Sequence, residues 1–445
     1  MYIDDLLPDH NLLEAAAEAP RPQRIAMLSL HTSPLAALGG RDTGGMNVYI
    51  KQLAEEFARR ELQVDVYTRR ADGRTPLVQE TAVGFRTISL PVGPPEAVSR
   101  AELHALVPAW ADAVDEFRLA DGLTYDMLHS HYWLSGLAAE RLAQRWEAPW
   151  AHMSHTLALI KDAHRGQHQE PESELRIASE AMVLPAADGV IASNDEERRE
   201  AASRYGLDPT KIYVAPCGVD LELFHPGSRR AARTRLGLPL DGRIVLYVGR
   251  IEPLKGIDTL ISAAAVLGQR VARLSVAIVG GSSDPADTAT VREVDRLRAL
   301  AERLGVSELA TFHGPVEQRN LPDYYRAANV AVVPSHYESF GMAALESLAC
   351  GVPVVASDVG GLRSTVRNGV NGYLAPADDE RAFARRIERV LCRPELAAAL
   401  SQEAARSARR YSWKRVADAN LAVYHNLLAA AAPPEPTDVG WELVY

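Results

Sequence analysis

The sequence predicts an α/β protein made of two doubly wound parallel sheets. Three observations carry this. Strand and helix signals alternate from Arg24 onward, the alternation restarts near Ile244 after an interval punctuated by Pro and Gly, and 445 residues exceed one typical domain. Short unbroken apolar runs separated by helical stretches mark strands buried on both faces, which is the environment of a parallel sheet.

The first series opens with an apolar run at 25–30, a Gly-rich loop to Gly45, a helical segment at 46–60 and a strand at 64–67. Further strands are expected at 127–129, 151–154, 189–192 and 212–214. Residues 217–243 contain Pro226, Gly227, Pro239 and Gly242 and read as a crossing between halves. Arg229, Arg230, Arg233 and Arg235, on a short helix there, are expected to form a solvated face. The second series places strands at 244–248, 274–279, 311–313, 330–334 and 353–357, with late helices at 380–391 and 394–411. In residues 412–432, Trp413, Val416, Leu421 and Tyr424 suggest one packed face. The expected divisions are an extension at 1–23, halves at 24–225 and 226–411, a final helix at 412–432 and a Pro-rich, poorly ordered tail at 433–445.

A net charge of −10 argues against a nucleic-acid or anionic-membrane binder, so an anionic ligand would need local basic groups. Cys217, Cys350 and Cys392 are too scattered for a zinc or disulfide framework, and a reducing cytoplasm is the expected compartment. Residues 1–23 lack the basic and apolar regions of a signal peptide, and no run approaches about 18 apolar residues, so membrane insertion is not expected. A homodimer is compatible with these features.

Residues 330–346, VAVVPSHYESFGMAALE, run a buried strand through a short turn into a helix-forming stretch at 343–350 that Gly351 and Pro353 stop. Amides at Ser339, Phe340 and Gly341 would lack intrahelical partners, and with the helix dipole they favour a phosphate. Glu338 precedes this terminus, and Glu346 lies about 12 Å further along at helical rise. A nucleotide sugar fits that spacing, its diphosphate on the amides, one carboxylate accepting from hexose hydroxyls and the other from ribose hydroxyls. Ordinary capping and surface glutamates would give the same pattern. In YVGRIEPLKG, Arg250 and Lys255 lie beyond the carboxyl end of a strand, where open α/β sheets bind ligands. Two cations there would offset a diphosphate, although a solvated loop would carry them too. GGRDTGGMNVYI sets Gly44 and Gly45 before another helix start, without the spacing of the familiar phosphate loops. His155 follows the run at 151–154, and both a structural and a ligand-positioning histidine suit that place.

Together, Arg250, Lys255, the glutamates separated by seven residues and Gly44-Gly45 resemble the retaining GT-B glycosyltransferases, in the family that includes the sucrose synthases. The resemblance runs from about Arg24 to Tyr424, with GVDLELFHPG marking the interdomain crossing and GGLRSTVRNGVNGYLAP a late nucleotide-side segment. It implies two Rossmann-like halves facing a central cleft, acceptor on the first and nucleotide sugar on the second, with final helices packing back on the first. It also implies that Gly44, Gly45, Arg250, Lys255 and the amides of Ser339, Phe340, Gly341 and Met342 hold the donor, with Glu338 on the sugar and Glu346 on the ribose. His155 would stand beside the donor hexose. No cofactor or bound metal is implied, and no DxD triplet occurs.

The segments LHTSPLAALGGRDTGGMNVYI, HSHYWLSG, HTLALIKDAHRG and PESELR are similar to the members of that family that transfer N-acetylglucosamine from UDP-N-acetylglucosamine to 1D-myo-inositol 3-phosphate. Acceptor contacts are then implied for Asn47, Tyr132, Thr156 and Arg176, with Arg100 where those members carry a lysine and Lys161 where sucrose-phosphate synthases carry one. An ammonium and a planar guanidinium bind anions with different geometry. Singly, Tyr132 also reads as a core aromatic, Thr156 as a helix cap and Arg176 as a surface helix residue. The open alternatives are a sucrose-phosphate synthase or aminocyclitol glycosyltransferase, a nucleotide-sugar epimerase or hydrolase, and a non-catalytic nucleotide-sugar binder.

Overall fold

The computed structural model describes residues 21–36, 43–164, 170–282 and 287–431. Most of the expected N-terminal extension and the whole Pro-rich tail lie outside the described residues.

In the first half the order is β1 (Arg24–Leu28), α1 (Gly45–Ala58), β2 (Gln63–Arg69), β3 (Val78–Ala82), β4 (Phe85–Leu90), α2 (Arg100–Ala120), β5 (Met127–His131), α3 (Trp133–Trp146), β6 (Trp150–Met153), α4 (Ala158–Ala163), α5 (Glu174–Ala186), β7 (Gly189–Ala192), α6 (Asp195–Tyr205) and β8 (Ile212–Val214). These strands make one sheet of order β3-β4-β2-β1-β5-β6-β7-β8, parallel except at β3. The second half continues with α7 (Arg229–Leu236), β9 (Arg243–Gly249), α8 (Ile257–Gly268), β10 (Leu274–Gly280), α9 (Thr288–Arg303), β11 (Ala310–Gly314), α10 (Leu321–Ala327), β12 (Val330–Val333), α11 (Met342–Ala349), β13 (Val354–Ser357), α12 (Leu362–Thr365), β14 (Gly372–Ala375), α13 (Glu380–Cys392), α14 (Pro394–Ala408) and α15 (Trp413–Ala431). Its strands form a wholly parallel sheet of order β11-β10-β9-β12-β13-β14.

Parallel strands between two helix layers hide both faces, so β1 and β12 are buried almost throughout. Both sheets switch winding direction once, between β1 and β5 in the first and between β9 and β12 in the second. Loops leaving the two strands at such a point run to opposite sides and open a crevice.

The chain crosses back at its end. Val219 N donates to Tyr411 O at 2.8 Å, so the outgoing and returning segments lie side by side. Helix α15 then packs on α1 and on the underside of β5. Asn420 Nδ2 donates to Tyr49 Oη at 3.0 Å, Arg60 Nη1 to Asp418 Oδ1 at 2.7 Å, and His129 Nδ1 lies 2.7 Å from Tyr424 Oη. Among the described residues no helix is long and apolar enough to cross a membrane.

Three of the four arginines on α7 lie on the solvated face expected from their charge, and Arg233 does not. Arg233 is only 2% exposed, and its guanidinium donates to the carbonyls of Ala327, Leu240 and Gly242 and to Asn329 Oδ1 at 2.8–3.0 Å. A planar five-donor fork can satisfy several converging carbonyls at once, and this one staples the crossing segment to the end of α10. Arg229, Arg230 and Arg235 are exposed, Arg229 reaching Ala328 O at 3.2 Å and Arg235 pairing with Asp323. Arg233→Ala should lower the melting temperature by about 5 °C, because it leaves those buried acceptors unpaired, whereas Arg230→Ala should leave it essentially unchanged in the same thermal-shift measurement.

Candidate active site

The sequence-nominated residues gather on loops at the two switch points and on their immediate neighbours. On the second half, the loop after β9 carries Arg250 and Lys255, and the loop after β12 carries residues 335–341 into α11. Lys255 Nζ lies 2.6 Å from Glu338 Oε2, both side chains being largely buried. Arg250 turns elsewhere: half exposed, its Nη2 pairs with Glu252 Oε1 at 3.0 Å.

Helix α11 begins at Met342, one residue before the sequence estimate, because Gly341 adopts φ 89° as its N-cap. That left-handed turn is one glycine adopts without penalty. Phe340 is buried with its ring edge against Tyr411, centroids 5.7 Å apart. Glu346, one turn into α11, is not a surface residue. It is 9% exposed, accepts from Tyr325 Oη at 2.8 Å, and burial lifts its carboxyl to about 7.

Gly44 and Gly45 approach this loop from the first half. A Cβ on Gly45 would stand 2.9 Å from Met342 Sδ, so only glycine permits that contact without displacement. Gly44 N donates to Asn47 Oδ1 at 2.9 Å, and Asn47 Nδ2 donates to Thr32 Oγ1 and Ser33 O at 2.7 Å each. Asn47 therefore braces the glycine loop, with every polar atom of its amide engaged.

Tyr132 follows β5 at φ 73°, outside the region that non-glycine residues favour, and strain of this kind concentrates at functional sites. Its ring lies 5.6 Å from the Arg100 guanidinium, 5.0 Å from that of Arg176 and 4.5 Å from the His31 ring. Arg176 is buried rather than on the surface. Its Nη2 donates to Thr156 O at 2.7 Å and Thr156 Oγ1 at 3.0 Å, while Nε meets Glu180 Oε1 at 2.7 Å and Nη1 meets Glu172 Oε2 at 3.0 Å. Lys161 also pairs with Glu172. Arg100 and Arg176 thus both face the Tyr132 ring, and Arg176 and Lys161 share Glu172, a gathering of basic groups suited to an anion.

His155 sits at φ 60° after β6, its Nε2 3.0 Å from His131 Nδ1 and its ring edge-on to Tyr49. Burial pushes it down to about 3, so it is neutral and serves as a directional hydrogen-bonding group. His31 was not among the residues expected from the sequence: it lies beside Tyr132, and its buried Nδ1 has no hydrogen-bond partner among the described residues. Its signal was position alone, just beyond β1 at the switch point. A pocket of about 400 Å³, lined by Ile251, Gly281, Arg298, Phe312 and His313 among others, opens at the carboxyl ends of β10 and β11. Among the described residues no cluster of three or more His, Cys, Asp or Glu is disposed to hold a metal ion.

Two doubly wound halves meeting over such a cleft define the GT-B architecture of glycosyltransferases. Residues 44–218 match the model of the glycosyl transferase 4-like domain, and residues 228–407 match that of glycosyl transferases group 1. The chain is 42% identical to the D-inositol 3-phosphate glycosyltransferase of Acidothermus cellulolyticus, over 94% of each chain. It is 44% identical to that of Geodermatophilus obscurus, over 92% of this chain and 91% of the relative. The solved sucrose-phosphate synthase from Thermosynechococcus elongatus superposes with a TM-score of 0.83 at 36% identity, over 92% of this chain and 100% of that one. The chain belongs to the group 1 glycosyltransferase family.

Because burial makes the neutral acid the favoured folded form of Glu346, its contribution to stability is complete below the ordinary carboxyl value of 4.5 and is lost as pH rises through about 7. Melting temperatures of the ligand-free protein from pH 5 to 8 should therefore decline less in Glu346→Gln than in the wild type. Parallel declines would refute the assignment.

Proposed function

We propose that this glycosyltransferase moves N-acetylglucosamine from UDP-N-acetylglucosamine to a hydroxyl of 1D-myo-inositol 3-phosphate or a close phosphorylated cyclitol, with retention of configuration and without a metal. The observation that carries the reading is the Tyr132 ring flanked by the guanidiniums of Arg100 and Arg176, with Thr156 held by Arg176. An aromatic floor between two cations suits a cyclitol ring that bears a phosphate. The names of the relatives, D-inositol 3-phosphate glycosyltransferases matched over 94% and 92% of this chain, support the acceptor part of the reading.

In this reading the donor diphosphate lies against the amides of Ser339 to Met342 and the helix start at Gly44 and Gly45. Its base occupies the pocket between β10 and β11. Lys255 and Arg250 offset the charge that grows on the β-phosphate as the glycosidic bond breaks. Glu338 accepts from hexose hydroxyls, Glu346 from the ribose, and neutral His155 orients a sugar hydroxyl. The bond from the anomeric carbon to the phosphate oxygen breaks and the bond to the acceptor oxygen forms on the same face. The acceptor's proton passes to the departing phosphate oxygen. Arg250 swings from Glu252 toward the diphosphate as the cleft fills.

Nucleotide release from UDP-N-acetylglucosamine in EDTA, without acceptor and with inositol, inositol 3-phosphate or fructose 6-phosphate, tests the whole reading. Release only with inositol 3-phosphate and a product heavier by one N-acetylhexosamine is expected. Activity with fructose 6-phosphate would favour sucrose-phosphate chemistry, which the likeness to the cyanobacterial synthase keeps as the second reading. Release without acceptor would point to a hydrolase or epimerase. Lys255→Ala should lower turnover by on the order of 10²-fold, comparable to losing an oxyanion donor, and unchanged turnover would remove Lys255 from the chemistry.

A further inference from the structure

We infer that Asn194, on the first half, is a positioning residue for the donor loop of the second half, and that its cross-cleft hydrogen bond ties diphosphate binding to closure of the two halves. The inference rests on the reading of residues 338–341 as the diphosphate cradle.

Asn194 follows β7 and caps α6, its Oδ1 accepting from Glu197 N at 2.9 Å. That bond fixes which end of the amide is oxygen, so Nδ2 faces the other way and donates to Ser339 O at 2.8 Å. Ser193 Oγ also lies 3.1 Å from Ser339 O, but it has one proton and gives it to the buried Glu197 carboxylate, which also takes Ser193 N at 2.8 Å. Asn194 is therefore the cross-cleft donor. On the far side, Gly361 N donates to Glu338 O at 2.9 Å. Two consecutive carbonyls of the donor loop are thus anchored, one from within the second half and one from the first. Because a peptide group is planar, anchoring Ser339 O also sets the direction of Phe340 N–H, an amide of the proposed cradle. Nearby, Glu196 pairs with Arg363 at 2.6 Å and His164 stacks on Tyr337, but the first of these is exposed and contributes little. The Asn194 bond is part-buried, with Asn194 itself buried.

Asn194→Asp separates this role from helix capping. Aspartate caps as well as asparagine, yet it turns a donor into an acceptor facing a carbonyl. Asn194→Ser keeps a cap and loses the reach. The expected result in both is a melting temperature close to wild type, a rise of about tenfold in UDP Kd and donor KM, a smaller change in kcat, and reduced compaction in small-angle scattering at saturating UDP. Wild-type UDP affinity and compaction in both variants would overturn the inference alone. A wild-type protein that does not bind UDP in the same titration would overturn the donor reading and the inference with it.

Discussion

Strand order can reverse only once in each sheet, and that constraint places everything else in this molecule. Beside β1 in the first sheet and β9 in the second, adjoining loops leave in opposite directions and cannot close over the strand ends. His31, Tyr132, Lys255 and Glu338 all follow strands that border those two points. The surrounding layers are ordinary packing, and their task is to hold two open crevices facing one another.

What the crevices contain is governed by burial as much as by charge. The protein carries ten net negative charges, yet its first-half crevice gathers Arg100, Arg176 and Lys161 around Tyr132 and Glu172. Distant surface charge is screened within a Debye length, so basic groups set locally behind low-dielectric walls decide which ligands enter. Burial has also neutralised the histidines behind that surface: His129 and His131 are held well below their ordinary value, and among the described residues each keeps a buried ring nitrogen without a hydrogen-bond partner. A neutral imidazole layer beneath cationic groups adds no repulsion to them.

The parallel strands were legible because burial on both faces forces short apolar runs: GVIA at β7 and IYV at β8 fall at the expected residues. Two of the strands not foreseen break that rule: β3 reads VQETA on an exposed edge, and β4, FRTISL, interrupts its apolar residues with Arg86, Thr87 and Ser89. β14, GYLA, is as short as β7 and nearly as buried, and was simply passed over. In the site, Lys255, Glu338 and Glu346 were legible because their spacing is local to a strand–turn–helix unit. Asn194 was not, since its partner lies 145 residues away and a helix-capping asparagine carries no mark of a second duty. Arg233 was misread for a related reason. Charge in a sequence signals water, and only the folded chain reveals a cage of carbonyls.

Helix α15 lends its side chains to the first half, where Tyr424 closes over His129 and Asn420 over Tyr49. The second half is continuous in sequence, whereas the first is not whole until the last helix arrives. During synthesis on the ribosome the order of completion is therefore inverted. The half that emerges first must wait, its β5 and α1 surfaces uncovered, while the later half acquires its own core. Chaperone demand should concentrate in that interval, and a chain stopped short of Trp413 would leave the ribosome with its earliest-made part unfinished.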